Sequence, residues 1–119
     1  MYTLKVESYF SSAHNLRGYK GKCEKLHGHN WKVEIYVSRK KLDKSGMVLD
    51  FQVLKARLNR VLEGLDHKYL NNIAYFKRVN PTSENIAAYI FNRLKSLIPD
   101  ITQVIVWESR NCSASYDGK

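Results

Sequence analysis

His27 and His29 are separated by one residue, and Cys23 stands four positions before the first of them. On an extended backbone, side chains at i and i+2 point to the same side. Both imidazoles therefore reach one ion, and Gly28 keeps the space between them open. A third histidine, His14, lies in the polar-flanked stretch Ser11-Ser12-Ala13-His14-Asn15. Three imidazoles with a fourth position left free make the donor set of a catalytic zinc site rather than a closed structural one. Neutral imidazoles suit zinc, although ligand type alone leaves iron, nickel and copper open. Cys23 has three readings: a fourth ligand, a packed thiol, or a reactive base whose pKa a nearby metal and lysines would lower.

Two acids complete the candidate chemistry. Asp66 precedes His67 in Leu65-Asp66-His67-Lys68, and a carboxylate beside an imidazole orients it and stabilises its protonated form. From the dipeptide alone, a histidine interacting with the dipole of a helix C-terminus is the preferred reading. Glu108 ends the run Val104-Ile105-Val106-Trp107 and shares parity with Val104 and Val106. An acid on the covered face of a strand needs a partner. A ligand with adjacent N–H donors would supply one; otherwise it is an ordinary strand-end acid.

The elements that must position these residues follow from periodicity. Tyr2, Leu4, Val6 and Phe10 alternate with polar residues, as do Trp31, Val33, Ile35 and Val37, which predicts two half-buried, neighbouring antiparallel strands. With regular pleating, His27 and His29 continue the apolar series of the second strand, and His14 that of the first; a bulge near 11–15 would break the pattern. Lys44-Ser45-Gly46 reads as a turn. Asp50 then caps a helix bearing Phe51, Leu54, Leu58, Val61, Leu62 and Leu65. Asn80-Pro81-Thr82-Ser83-Glu84 starts a second helix, with the stripe Ile86, Ile90, Leu94 and Leu97 and a stop at Pro99. Residues 101–108 and 112–117 read as strands, Cys112 being a packed small residue of the last. The order ββααββ is that of an α+β domain with its helices on one sheet face.

The chain has 119 residues, which suits a single domain spanning 1–119. Its 44% hydrophobic and 26% charged residues are an ordinary soluble mix, and no apolar run is long enough to span a bilayer. The alternating N-terminus lacks a signal-peptide core, which gives a cytoplasmic expectation. Two cysteines without a Cys-x-x-Cys spacing argue against a disulfide framework and a Cys-rich finger. The net charge of +9 favours an anionic partner. Because the lysines are scattered, with no aromatic-basic interleave, neither nucleic acid nor membrane is expected; a phosphorylated metabolite or a plain solvated basic surface remains.

An ordered series of short motifs runs nearly end to end: Ser12-Ala13-His14, Cys23-x-x-x-His27-Gly28-His29, Leu65-Asp66-His67, Pro81-Thr82-Ser83-Glu84-Asn85 and Trp107-Glu108-Ser109. The series resembles the 6-pyruvoyl-tetrahydropterin synthase and 6-carboxy-tetrahydropterin synthase family. The resemblance implies the tunnelling fold, here as a four-stranded antiparallel sheet with two helices on one face. It also implies a homo-oligomer built from trimers, commonly a hexamer, with active sites at subunit interfaces. One zinc per subunit would be held by His14, His27 and His29. Cys23 would be the catalytic thiol, working with Asp66 and His67, while Glu108 anchors the pterin ring beside Thr82 and Ser83. The three-residue gap between Cys23 and His27 resembles the 6-carboxy-tetrahydropterin synthases of queuosine biosynthesis, since the pyruvoyl enzymes typically have a longer gap. The implied reaction converts 7,8-dihydroneopterin triphosphate to 6-carboxy-tetrahydropterin, acetaldehyde and triphosphate. The triphosphate fits the basic charge. Glu24 opens a different route, because some relatives use a glutamate there to make 6-hydroxymethyl-dihydropterin for folate. Two more readings stay open: a 6-pyruvoyl-tetrahydropterin product, and a non-enzymatic, zinc-containing basic binding module.

Overall fold

A computed structural model describes residues 1–19, 21 and 25–119 of the chain. The elements are β1 (Tyr2–His14), β2 (His27–Arg39), α1 (Phe51–Glu63), β3 (Lys68–Tyr69), a single 3-10 turn (Leu70–Asn72), α2 (Ala74–Arg78), α3 (Ser83–Lys95), β4 (Ile101–Trp107) and β5 (Ser113–Tyr116). They form one sheet in the order β3-β1-β2-β4-β5. Pairing is antiparallel except at β3, which runs parallel to β1 through Ser12 and Ala13.

The alternation seen in the sequence sets the two sheet faces. Val6, Phe10, Trp31, Val33, Ile35, Val104 and Val106 are buried on one of them. α1 lays Leu54, Leu58 and Leu62 on this face, and α3 adds Ile86, Ala87, Ile90 and Leu94. Burying each such large side chain contributes about 1.5–3 kcal/mol. Phe10 and Trp31 are opposite partners in the β1–β2 register, and their rings stack with centroids 5.8 Å apart. The other face is mixed, with Lys5, Glu7, Lys32 and Glu34 beside Tyr9, Tyr36, Ile105 and Trp107. There Glu34, only 7% exposed, accepts the indole N–H of Trp107 and pairs with Lys5 at 3.2 Å.

Both long helices begin at side-chain caps. The Asp50 carboxylate accepts the Gln52 amide at 2.7 Å, and the Thr82 hydroxyl accepts that of Asn85 at 3.1 Å. After α1 the chain reverses at His67, whose φ of 55° is left-handed. Histidine is among the non-glycine residues that enter this region most often. Here the turn is secured by the His67 amide donating to the Ser11 carbonyl at 2.6 Å, which docks β3 against the end of β1.

Three expectations require correction. Among the described residues the sheet has five strands and is mixed, not four-stranded and antiparallel. The same residues form three α-helices rather than two. β3 and α2 have two and five residues, too few to show a period, and are held by tertiary contacts such as the buried Phe76. Cys112 is exposed in the turn before β5 rather than packed in that strand. Among the described residues, no helix is long and apolar enough to cross a membrane.

Candidate functional site

β1 ends on His14 and β2 begins on His27, and the antiparallel register sets these two residues opposite each other, with Ser12 opposite His29. No bulge interrupts this part of the pairing. The three imidazoles thus share the helix-covered face with Phe10, Trp31 and Val33, and they converge at one end of the core. Ring centroids lie 4.6 Å apart for His14–His27, 4.7 Å for His27–His29 and 5.4 Å for His14–His29. Trp31 walls the cluster, 4.9 Å from His14 and 5.1 Å from His29, and its indole N–H donates to the Ser12 carbonyl at 3.2 Å.

Backbone carbonyls fix two of the tautomers. Nδ1 of His14 lies 2.7 Å from the Pro81 carbonyl, and Nδ1 of His27 lies 2.7 Å from that of Lys25. A carbonyl only accepts, so each Nδ1 carries the proton and each neutral ring presents a lone pair at Nε2. Those two Nε2 atoms are 3.0 Å apart. Two acceptors facing each other at that distance repel unless a cation lies between or beside them. His29 Nε2 is also buried, and Glu108 Oε1 lies 2.9 Å from it. Burial pushes the His14 and His29 pKa values below the ordinary one, with neighbouring imidazoles adding to the push. For His14, the Pro81 carbonyl and then Glu108 oppose it; for His29, Glu108 does. These are neutral, preoriented nitrogen donors, and they fit a metal such as zinc.

The fourth member of the cluster is Glu108. Its ligand atom and those of the three histidines all lie within 4.8 Å of one another. Oε1 is 2.9 Å from His29 Nε2 and 3.7 Å from His14 Nε2, while Oε2 accepts a hydrogen bond from Ser83 Oγ at 3.2 Å. The parity of Glu108 with Val104 and Val106 persists one residue beyond β4 and turns it to the covered side. Its partners there are the imidazoles and Ser83. Thr82 and Ser83 reach the site through the start of α3: Thr82 caps the helix, Ser83 holds Glu108, and the preceding Pro81 carbonyl orients His14.

Asp66 and His67 form a separate pair at the β3 edge. Asp66 Oδ2 is 3.0 Å from His67 Nδ1, and Oδ1 accepts the Ser11 amide at 2.8 Å. The Ser11 amide first, and His67 after it, hold the Asp66 carboxyl below the usual range against a push from burial. The His67 side chain is 82% exposed and is not part of the histidine cluster. Cys23 and Glu24 lie outside the described residues. Sequence reasoning missed the Pro81 and Lys25 carbonyls, because a backbone acceptor leaves no residue-type signature. It also missed the facing of Glu108 toward the imidazoles, although the strand parity of that residue was a signal for it.

The chain as a whole is similar to known proteins. The family model described as 6-pyruvoyl tetrahydropterin synthase matches residues 3–119. The chain is 39% identical to the 6-carboxy-5,6,7,8-tetrahydropterin synthase of Synechocystis sp. over 98% of its own length and 93% of that protein's. It is 32% identical to the enzyme of the same name from Haemophilus influenzae, over 98% of this chain and 99% of that one. Among solved structures, the 6-pyruvoyl tetrahydropterin synthase of Caenorhabditis elegans superposes with a TM-score of 0.91 at 30% identity, covering 99% of this chain and 96% of that one. The Plasmodium falciparum 6-pyruvoyl tetrahydropterin synthase does so at 0.75 and 26%, covering 97% and 96%.

Proposed function

Because the chain belongs to the 6-pyruvoyl tetrahydropterin synthase family, we propose that it is a 6-carboxy-5,6,7,8-tetrahydropterin synthase. In this reading it is a zinc-dependent lyase that converts 7,8-dihydroneopterin triphosphate and one water to 6-carboxy-tetrahydropterin, acetaldehyde and triphosphate. The observation that carries the reading is the three-histidine cluster, with two tautomers set by carbonyls so that two Nε2 lone pairs meet at 3.0 Å, in a chain whose full-length relatives bear that name. Its biological setting in this reading is queuosine biosynthesis.

His14, His27 and His29 would hold the metal, which when bound supplies Lewis acidity toward the hydroxyls of the substrate side chain. The residues do the rest. Cys23, as thiolate, takes a proton from a side-chain carbon. His67 exchanges protons with the substrate as acid and base, and Asp66, fixed by the Ser11 amide, keeps the imidazole oriented. Glu108 and Ser83 accept and donate hydrogen bonds at the pterin ring, and such contacts contribute proximity. Lysines and arginines of the +9 chain balance the triphosphate.

An oligomer with interfacial active sites suits two features. Among the described residues β3 pairs with β1 at Ser12 and Ala13 and the Asp66–His67 turn engages Ser11, so the strand edge before Ser11 offers backbone groups to a second copy. His67 stands in the open on one chain, and a neighbouring subunit covering it would give proton transfer a drier setting. The likeness to the C. elegans structure favours a second reading, a 6-pyruvoyl product; Glu24 leaves a third, 6-hydroxymethyl-dihydropterin.

Product analysis tests the proposal. Zinc-loaded protein is incubated with 7,8-dihydroneopterin triphosphate, with acetaldehyde trapping and mass spectrometry. Acetaldehyde and 6-carboxy-tetrahydropterin in equal amounts are expected. Turnover without acetaldehyde would overturn the assignment, with the identity of the pterin choosing between the second and third readings. No turnover in zinc-loaded protein would favour a binding module.

A further inference from the structure

A metal site made of three imidazoles and a carboxylate is closed, whereas a site that acts on substrate needs a free position. The cluster contains both possibilities, because the fourth donor is a side chain with room to leave. Glu108 Oε1 lies 2.9 Å from His29 Nε2 and 3.7 Å from His14 Nε2. Donors sharing a tetrahedral zinc at about 2.0–2.1 Å are separated by about 3.3 Å, so these distances bracket those of a ligand. A proton on His29 Nε2 would hold Oε1 at that distance, but His14 Nε2, whose ring carries its proton on Nδ1, has none to offer. The carboxylate thus faces a nitrogen lone pair on His14, which also faces the lone pair of His27 at 3.0 Å. A shared cation makes that meeting of acceptors favourable, and without one it is repulsive.

The surroundings of Glu108 are built for release. Its backbone is fixed, the amide donating to the Cys112 carbonyl at 3.1 Å in the β4–β5 turn. Its side chain is 31% exposed, and its outer oxygen is held by the Ser83 hydroxyl. One hydrogen bond from a neutral hydroxyl is a weak hold beside the exchange of a metal ligand. The side chain can thus rotate away from the imidazoles while its backbone and the three histidines stay in place.

We infer that Glu108 closes the fourth position of the metal in the substrate-free protein and is displaced from it when the oxygen atoms of the substrate side chain arrive. This rests on the metal reading of the histidine cluster. It adds that the carboxylate is a gate on that metal, and that ring anchoring by Glu108 begins only after release. The gate protects the metal from adventitious anions and lets a substrate with suitable donors open it.

The test uses cobalt(II) as a spectroscopic stand-in for zinc and azide as a small competing anion. Wild type, Glu108→Gln and Glu108→Asp are loaded with cobalt and titrated with azide while the visible d–d bands are followed. Circular dichroism verifies the fold of each. Both variants are expected to bind azide at least tenfold more tightly than wild type. Their zinc affinity, measured against a chromophoric chelator, is expected to fall about tenfold or more. The aspartate variant separates ligation from charge, because it keeps the negative charge but is one methylene too short to reach. An aspartate variant that matches wild type would overturn the inference by assigning the effect to charge, and so would a glutamine variant unchanged in both measurements. Wild type that takes up no cobalt or zinc would overturn the metal reading itself, whereas normal uptake with unchanged variants refutes the gate alone.

Discussion

The metal-free protein should lose stability steeply just below neutral pH, and the magnitude follows from two buried imidazoles. His14 is 2% exposed, and both it and His29 have pKa values pushed below the ordinary 6.5 by burial, with Glu108 opposing. Since the folded-state values are the lower ones, the unfolded chain takes up protons first as pH falls through about 6.5. Stability is therefore full above that pH and is lost as pH falls toward the folded-state values. Each imidazole contributes at most about 1.4 kcal/mol per pH unit in that window. Two of them set a ceiling of about 2.7 kcal/mol between pH 7.5 and 5.5. With the Glu108 carboxylate opposing the shift, about 1–2 kcal/mol is expected, or about 4–8 °C in Tm for a chain of this size. The assay is urea unfolding of chelator-treated protein across pH 8.0 to 5.5, with His29→Gln alongside. Asp66 and Glu7 have lowered values and titrate well below the window, so they do not contaminate it. A flat profile, or one with the same slope in His29→Gln, would refute the reasoning.

Other substitutions probe the remaining parts. Asp66→Asn should lower turnover about 10²–10⁴-fold while leaving zinc stoichiometry unchanged; equal loss of metal would show that the pair supports the cluster. Cys23→Ala should retain zinc and the fold, measured by metal analysis and circular dichroism, yet lose turnover. Joint loss of zinc and fold would instead make the thiol a structural ligand. Thr82→Ala should cost about 1 kcal/mol of stability through the lost cap of α3, read as a lower urea midpoint. An unchanged midpoint would show that the cap contributes nothing.

Strand parity carried much of the site. The phase of Val6 and Phe10 placed His14 on the covered face, and that of Trp31 and Val33 placed His27 and His29 there, because pleating stays regular to the strand ends. Asp50 and the segment around Thr82 were legible as helix starts because capping is local chemistry between a side chain and the next amides. Elements held by contacts distant in sequence were not legible. β3 exists because the amides of His67 and Lys68 find Ser11 and Ser12, and α2 because Phe76 is buried beneath it. Glu108 shows the boundary between the two cases: its face followed from parity, but its partners depended on where β4 ends relative to β2 and α3.

His14 and His27 face each other across the last rung of the β1–β2 ladder, so the connection of residues 15–26 leaves from one histidine of the cluster and returns to another. The facing of the two rings is thus set by strand register, but the proton position on His27 is set by the loop, through the Lys25 carbonyl. An insertion or deletion between Lys25 and His27 would take that carbonyl away from Nδ1 and free the tautomer of one ring, while the Pro81 carbonyl, far away in sequence, still sets that of His14. One loop can therefore retune a single donor of the cluster and leave the others in place.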